Sequence, residues 1–244
     1  MLERNLERGI LTLRLAHGKA SAMDLELCHA LRIELETVAE NDEARALVLT
    51  GTGSIFSAGV DLPRMVNADG DYVQRFVEAL DSVLRALFLF PRPVVAAVNG
   101  HAIAGGAIMA FACDYRLMTG GRIGVPELLV GVPFPPLAFE IVRFAIPIQH
   151  LQSMVYFGKT IEEGAAHEIG IVDEVVSADD LVPRAQLVAT QLAQIPPQAF
   201  ALTKRQLREP YLHAGVVTDA IGTMWSAPET HDHIRAYIAK TLKK

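Results

Sequence analysis

Apolar residues along the first half of the chain recur with two different periods. In "GILTLRLA" they alternate or run together as in a strand buried on one or both faces. In the following "SAMDLELCHALRIELETVAEND", Leu27, Leu31, Leu35 and Val38 fall three or four positions apart and share one helical face. The alternation repeats: "ARALVLTG" predicts a buried strand ending at Gly51. "DYVQRFVEALDSVLRALFLF" predicts a helix, with Val73, Phe76, Val77, Leu80, Val83, Leu84 and Leu87 recurring at helical spacing. "RPVVAAVNG" predicts a further strand, and "YRLMT" and "RIGVPELL" bracket a short turn. From residue 136 onward helical spacing prevails. Strand and helix alternating early, with helices late, predict an α/β protein. A core domain is expected over residues 1–190 and a helical region over 191–244.

Two connections stand out. "FSAGVDL" at 56–62 and "NGHAIAGG" at 99–106 each follow an apolar strand and present small residues just before a helix. Either alone is explained by a tight turn that needs positive φ. Brought together, the two could aim two backbone N–H groups at one oxygen. The residues behind Gly105 and Gly106, "AIMAF", carry no acid or base. What such a helix start offers is unpaired N–H groups at the positive end of its dipole, suited to a partly negative atom.

Composition narrows the function classes. The 244 residues are 51% hydrophobic, which predicts a globular protein with a substantial core. A formal net charge of −6 provides no basic face for nucleic acid. The N-terminus "MLERNLERGILTLRL" is charged at once, and no uncharged run approaches the roughly 18 residues of a membrane span, so a soluble cytoplasmic protein is expected. Cys28 and Cys113 lie alone on their segments and read as buried thiols. No metal site is expected: His231 and His233 in "HDH" are two apart and diverge on a helix. "FGKT" at 157–160 lacks the glycine that a phosphate-binding loop needs, since Ser153 stands there, and "TGTGS" lacks the third glycine of a dinucleotide fingerprint.

The order and spacing of several segments resemble the crotonase, or enoyl-CoA hydratase/isomerase, superfamily. These are "SAMD", "LVLTGTGSIFSAGVDL", "PVVAAVNGHAIAGGAIMAFACDYRL", "IGVPELLVGVP" and "FGKTIEEGAAHEIGIVDEVV", which together span most of the chain. The resemblance implies a spiral of ββα units with a helical C-terminal trimerisation region, assembled as a homotrimer or a pair of trimers. It implies an acyl-coenzyme A thioester as substrate, with no cofactor beyond that coenzyme A.

By motif position, the resemblance assigns the thioester carbonyl oxygen to the N–H groups of Val60 and Gly105. Of the two glutamates of the family's hydratases, the first position holds Ile108 here and the second holds Glu127. One carboxylate suffices to move a proton between two carbons, and an apolar first position with a single glutamate is similar to the family's Δ3,Δ2-enoyl-CoA isomerases. Hydration, thioester hydrolysis, decarboxylation and a catalytically idle acyl-CoA binder are the alternatives. The resemblance further implies that Tyr237 and Lys240 in "AYIAK" reach the nucleotide portion of coenzyme A, often across a subunit boundary. Asp61 and Asp114 read as caps on backbone groups, and His101 as structural. The helix from Asp71 to Phe90 is expected to line the acyl pocket.

Overall fold

The computed structural model describes residues 1–212 and 218–241. The strands are β1 (Leu2–Glu7), β2 (Ile10–Leu15), β3 (Ala46–Thr50), β4 (Ile55–Ser57), β5 (Val94–Val98), β6 (His101–Ile103), β7 (Tyr115–Met118), β8 (Arg122–Gly124), β9 (Thr160–Glu162) and β10 (Glu174–Val175). The helices are α1 (Leu25–Glu40), α2 (Leu62–Met65), α3 (Gly70–Phe88), α4 (Gly105–Phe111), α5 (Glu127–Val130), α6 (Pro136–Ala145), α7 (Ile148–Tyr156), α8 (Glu163–Glu168), α9 (Leu181–Leu192), α10 (Pro197–Arg208), α11 (Thr218–Trp225) and α12 (Pro228–Thr241).

Two sheets share these strands in a regular way. The larger has the order β1-β2-β3-β5-β7-β10 and the smaller β4-β6-β8-β9. The chain places one strand in the large sheet, the next in the small sheet, then a helix, three times over: β3-β4-α2, β5-β6-α4 and β7-β8-α5. All pairs among β3, β5 and β7, and among β4, β6 and β8, are parallel. This alternation is the spiral of ββα units that the resemblance implies; α9 packs on β3 and β5 of the large sheet, and α10, α11 and α12 follow as helices.

The local chemistry explains the elements. β3 and β5 are buried at every position, as strands covered on both faces must be. Leu27, Leu31, Leu35 and Val38 of α1 are buried, and the Asp24 side chain caps its start by accepting the Leu27 N–H at 2.8 Å. A cap of this kind contributes about 1 kcal/mol. α3 is capped in the same way by Asp69, and its inner face packs on α1 and α6. Strand β1 lies at the sheet edge with five of its six residues exposed, so its "LERNLE" carries no apolar signal. No described helix is long and apolar enough to cross a membrane.

Candidate active site

Parallel pairing in the small sheet assembles the site. Because β4, β6 and β8 run side by side in one direction, the segments that leave their C-terminal ends emerge at the same edge, where ligands of parallel α/β sheets bind. The segment after β4 carries Val60, the one after β6 carries Gly105, and the one after β8 carries Glu127. All three line one cavity of about 530 Å³.

The two glycine-rich segments touch. Gly59 has φ +80°, and a Cβ there would come within 2.6 Å of the Ile103 carbonyl oxygen and 3.0 Å of the Gly105 nitrogen. A Cβ on Gly106 would come within 2.2 Å of the Ser57 carbonyl oxygen. The two glycines thus have separate purposes: Gly106 permits the close packing of α4 on β4, while Gly105 begins the helix with its N–H at the cavity. Ala104, directly before it, holds φ +53° and ψ −126° and donates its N–H to Gly124 at 2.9 Å. A non-glycine residue in such a conformation stores on the order of 1–3 kcal/mol of strain, which the surrounding structure must hold in place. Among the described residues, neither the Val60 nor the Gly105 N–H donates to a protein acceptor, whereas the neighbouring Asp61 N–H donates to Met23 and the Gly59 carbonyl accepts from Met23. Two uncommitted donors on one cavity can hold an oxygen that gains negative charge.

Glu127 is the first residue of α5 and is 6% exposed. Its Oε2 is buried without a hydrogen-bond partner. The surrounding walls are apolar, supplied by Ile108, Val130, Val132, Leu80 and Leu84 among others. Burial pushes its carboxyl up to about 8, although its own backbone N–H favours the ionised form. Such a group accepts and returns protons near neutrality. Ile108, on α4, is 3% exposed and lines the same cavity, so no second carboxylate faces Glu127 from that helix.

Tyr237 of α12 also lines the cavity. Its hydroxyl is held above the ordinary range first by burial and then by the charge of Glu127. Lys240, one turn on, is exposed and is not part of the cavity wall. Leu80 and Leu84 place α3 in the wall. Asp61 caps α2 by accepting the Arg64 N–H at 3.0 Å, and Asp114 accepts the Val94 N–H at 2.8 Å. His101 is exposed and its Nδ1 accepts the Arg122 N–H. His231 and His233 each donate to a backbone carbonyl, of Trp225 and Leu129 respectively.

Two features of the wall have no signal in the sequence. At the polar end, His17 lines the cavity and bonds Asp24 at 2.7 Å, and Arg64 reaches the same Asp24 oxygen at 3.1 Å. Burial opposes the charge on Asp24, yet the Leu27 N–H, His17 and Arg64 together hold its carboxyl below the usual range. At the apolar end stands Trp225, 3% exposed, whose indole N–H donates to the Pro133 carbonyl at 3.0 Å. Both depend on contacts between elements distant in the chain.

Comparison with known proteins agrees with this geometry. The sequence pattern of the family described as enoyl-CoA hydratase/isomerase matches residues 5–239. The mitochondrial enoyl-CoA delta isomerase 1 of Rattus norvegicus is 28% identical over 213 residues, which cover 86% of this chain and 74% of the relative. The crystal structure of human mitochondrial delta3-delta2-enoyl-CoA isomerase superposes with a TM-score of 0.93 at 23% identity, covering 100% of this chain and 98% of that one, a likeness of fold. The enoyl-CoA hydratase EchA3 of Mycobacterium ulcerans superposes with a TM-score of 0.83 at 25% identity, covering 96% and 98%. With a cavity built at the ends of β4, β6 and β8 and a family pattern that runs almost from end to end, the chain belongs to the enoyl-CoA hydratase/isomerase family.

Proposed function

We propose that this protein is an enoyl-CoA isomerase that moves a double bond from the 3 to the 2 position of an acyl-CoA thioester. The N–H groups of Val60 and Gly105 hold the thioester oxygen, so that loss of a proton from C2 gives an enolate whose charge rests on that oxygen. Donors of this kind are worth about 3–4 kcal/mol each in comparable sites. Glu127 takes the proton from C2 and returns it to C4: the electron pair of the broken C2–H bond becomes, by way of the enolate, the new C2–C3 double bond, while the pair of the old C3–C4 double bond forms the C4–H bond.

The observation that carries this reading is the pairing of a lone buried carboxylate, Glu127, with apolar Ile108. Hydration would need a water held between two acid/base groups, whereas a suprafacial proton shift needs one. The nucleotide portion of coenzyme A is assigned to the exposed end of the C-terminal helix at Lys240, while Tyr237 of the same helix stands in the cavity wall under the influence of Glu127. The working unit is proposed to be a homotrimer or hexamer, since Leu128 and Leu129 on α5, Tyr156 at the end of α7 and Phe157 just after it leave an exposed apolar patch next to Glu127. The test is to mix the purified protein separately with a 3-enoyl-CoA and a 2-enoyl-CoA. Conversion of the first to the conjugated product supports the isomerase; consumption of the second with uptake of water replaces it with a hydratase.

A further inference from the structure

The catalytic cavity has a polar and an apolar end. His17, Lys19 and Asp61 mark the first; Leu80, Leu84, Ala138 and Trp225 mark the second, where α3, α6 and α11 pack together. Another hollow, of about 1260 Å³, opens to solvent past exposed residues of α3 such as Gln74 and Glu78. Its walls include Val77, Leu137, Tyr211 and Ile221, which are apolar enough to cover a hydrocarbon chain.

The two hollows share Pro135 in their walls. Trp225 faces the catalytic cavity, while Thr223, Ser226 and Ala227 on either side of it face the outer hollow. Trp225 is not free to swing. Its indole N–H is held by the Pro133 carbonyl, and its own carbonyl accepts from His231 Nε2 at 3.0 Å. A large, rigid side chain anchored at both its ring and its backbone is suited to act as a wall.

We infer that Trp225 is the partition that limits the length of acyl chain this site accepts, and that its removal joins the cavity to the outer hollow. The inference rests on the acyl-CoA reading given above. A chain that ends before the indole fills the cavity; a longer one must displace the indole or bend back into space already occupied. Discrimination per added methylene in a closed apolar pocket is commonly on the order of tenfold or more.

The experiment compares wild type, Trp225→Ala and Trp225→Phe on 3-hexenoyl-, 3-decenoyl- and 3-hexadecenoyl-CoA. Wild type should lose kcat/KM at the long end. Trp225→Ala should raise the ratio of long-chain to short-chain kcat/KM by about tenfold or more. Trp225→Phe, which keeps most of the bulk, should stay close to wild type. An unchanged length profile in Trp225→Ala overturns the partition; if that variant fails to fold, Trp225→Leu gives the same reading. A second measurement does not depend on turnover. Trp225 is the only tryptophan of the chain, so its emission reports on this wall directly. Saturated hexanoyl-, decanoyl- and hexadecanoyl-CoA should change it with chain length, and free coenzyme A should not. A response to free coenzyme A equal to that of the acyl-CoAs overturns the inference. A length-dependent emission change without isomerisation of any 3-enoyl-CoA would remove the isomerase and leave the partition standing.

Discussion

Glu127 and Asp114 are both shielded carboxylates in one protein, yet their surroundings are opposite. Asp114 accepts from Lys204 Nζ, Arg208 Nη2 and the Val94 N–H, each at 2.8 Å. Arg208 also donates to the carbonyls of Phe88, Ala112 and Cys113 and lies over the Phe88 ring. Every charge in that cluster has a partner, and the result is a clamp that ties α10 to the ends of β5 and α4. Glu127 has apolar walls and an oxygen with no partner. A compensated charge holds a fold together; an uncompensated one keeps its proton affinity high and its lone pair available. Burial alone therefore does not separate a structural carboxylate from one proposed as a base.

Exchanging each group for its neutral counterpart tests that contrast. Glu127→Gln should lower isomerisation by on the order of 10²- to 10⁴-fold, with acyl-CoA binding retained, as read by steady-state kinetics and titration calorimetry. Equal rates for the two proteins would end the one-base mechanism. Asp114→Asn should do the reverse. It leaves two buried cations without their anion and should cost about 3–5 kcal/mol in denaturant unfolding, with kcat little changed in the fraction that remains folded.

The pH dependence of stability gives a smaller, graded effect. Glu127 is held from its ordinary value of about 4.5 up to about 8, so between these pH values the folded state binds more protons than the unfolded one. The favourable contribution is complete below about 4.5 and is lost as pH rises toward 8. The stability of wild type relative to Glu127→Gln should fall over this window, by at most about 1.4 kcal/mol per pH unit. Unfolding curves that stay parallel across it would show that the carboxyl is not held protonated. The least effect is expected from Ile108→Glu. A second carboxylate facing Glu127 should introduce a trace of 2-enoyl-CoA hydration, kept small because a new charge in an apolar wall takes up a proton. Hydration at a rate comparable to isomerisation would mean that the missing carboxylate alone separates the two reactions.

The parts of the fold with a strong period could be read from the chain. The inner faces of α1 and α3 and the runs "ALVLT" and "VVAAV" lie where their hydrophobic spacing puts them, because burial on one helical face or both strand faces imposes that spacing. The small sheet could not be read: β4, β6, β8 and β9 have three residues each, too few to display a period. Yet it is the small sheet that sets Val60, Gly105 and Glu127 around one cavity. Glu127 itself has no local signature and stands out in the sequence only through the resemblance of "VPEL" to a family motif. Trp225 and His17 reach the cavity by packing between segments remote in the chain, and no local pattern encodes that.

The helix α12 also bears on the order in which the molecule is made. It lies against α2 and α5, its Tyr237 faces the cavity, and its Arg235 donates to the Val66 carbonyl at 2.9 Å. A ribosome delivers both sheets and the three loops that carry Val60, Gly105 and Glu127 well before it delivers this wall. During that interval the cleft lacks the wall that α12 supplies, and its apolar lining stays open on that side. Docking of α12 therefore both completes the cavity and covers its apolar lining, so one helix has two effects.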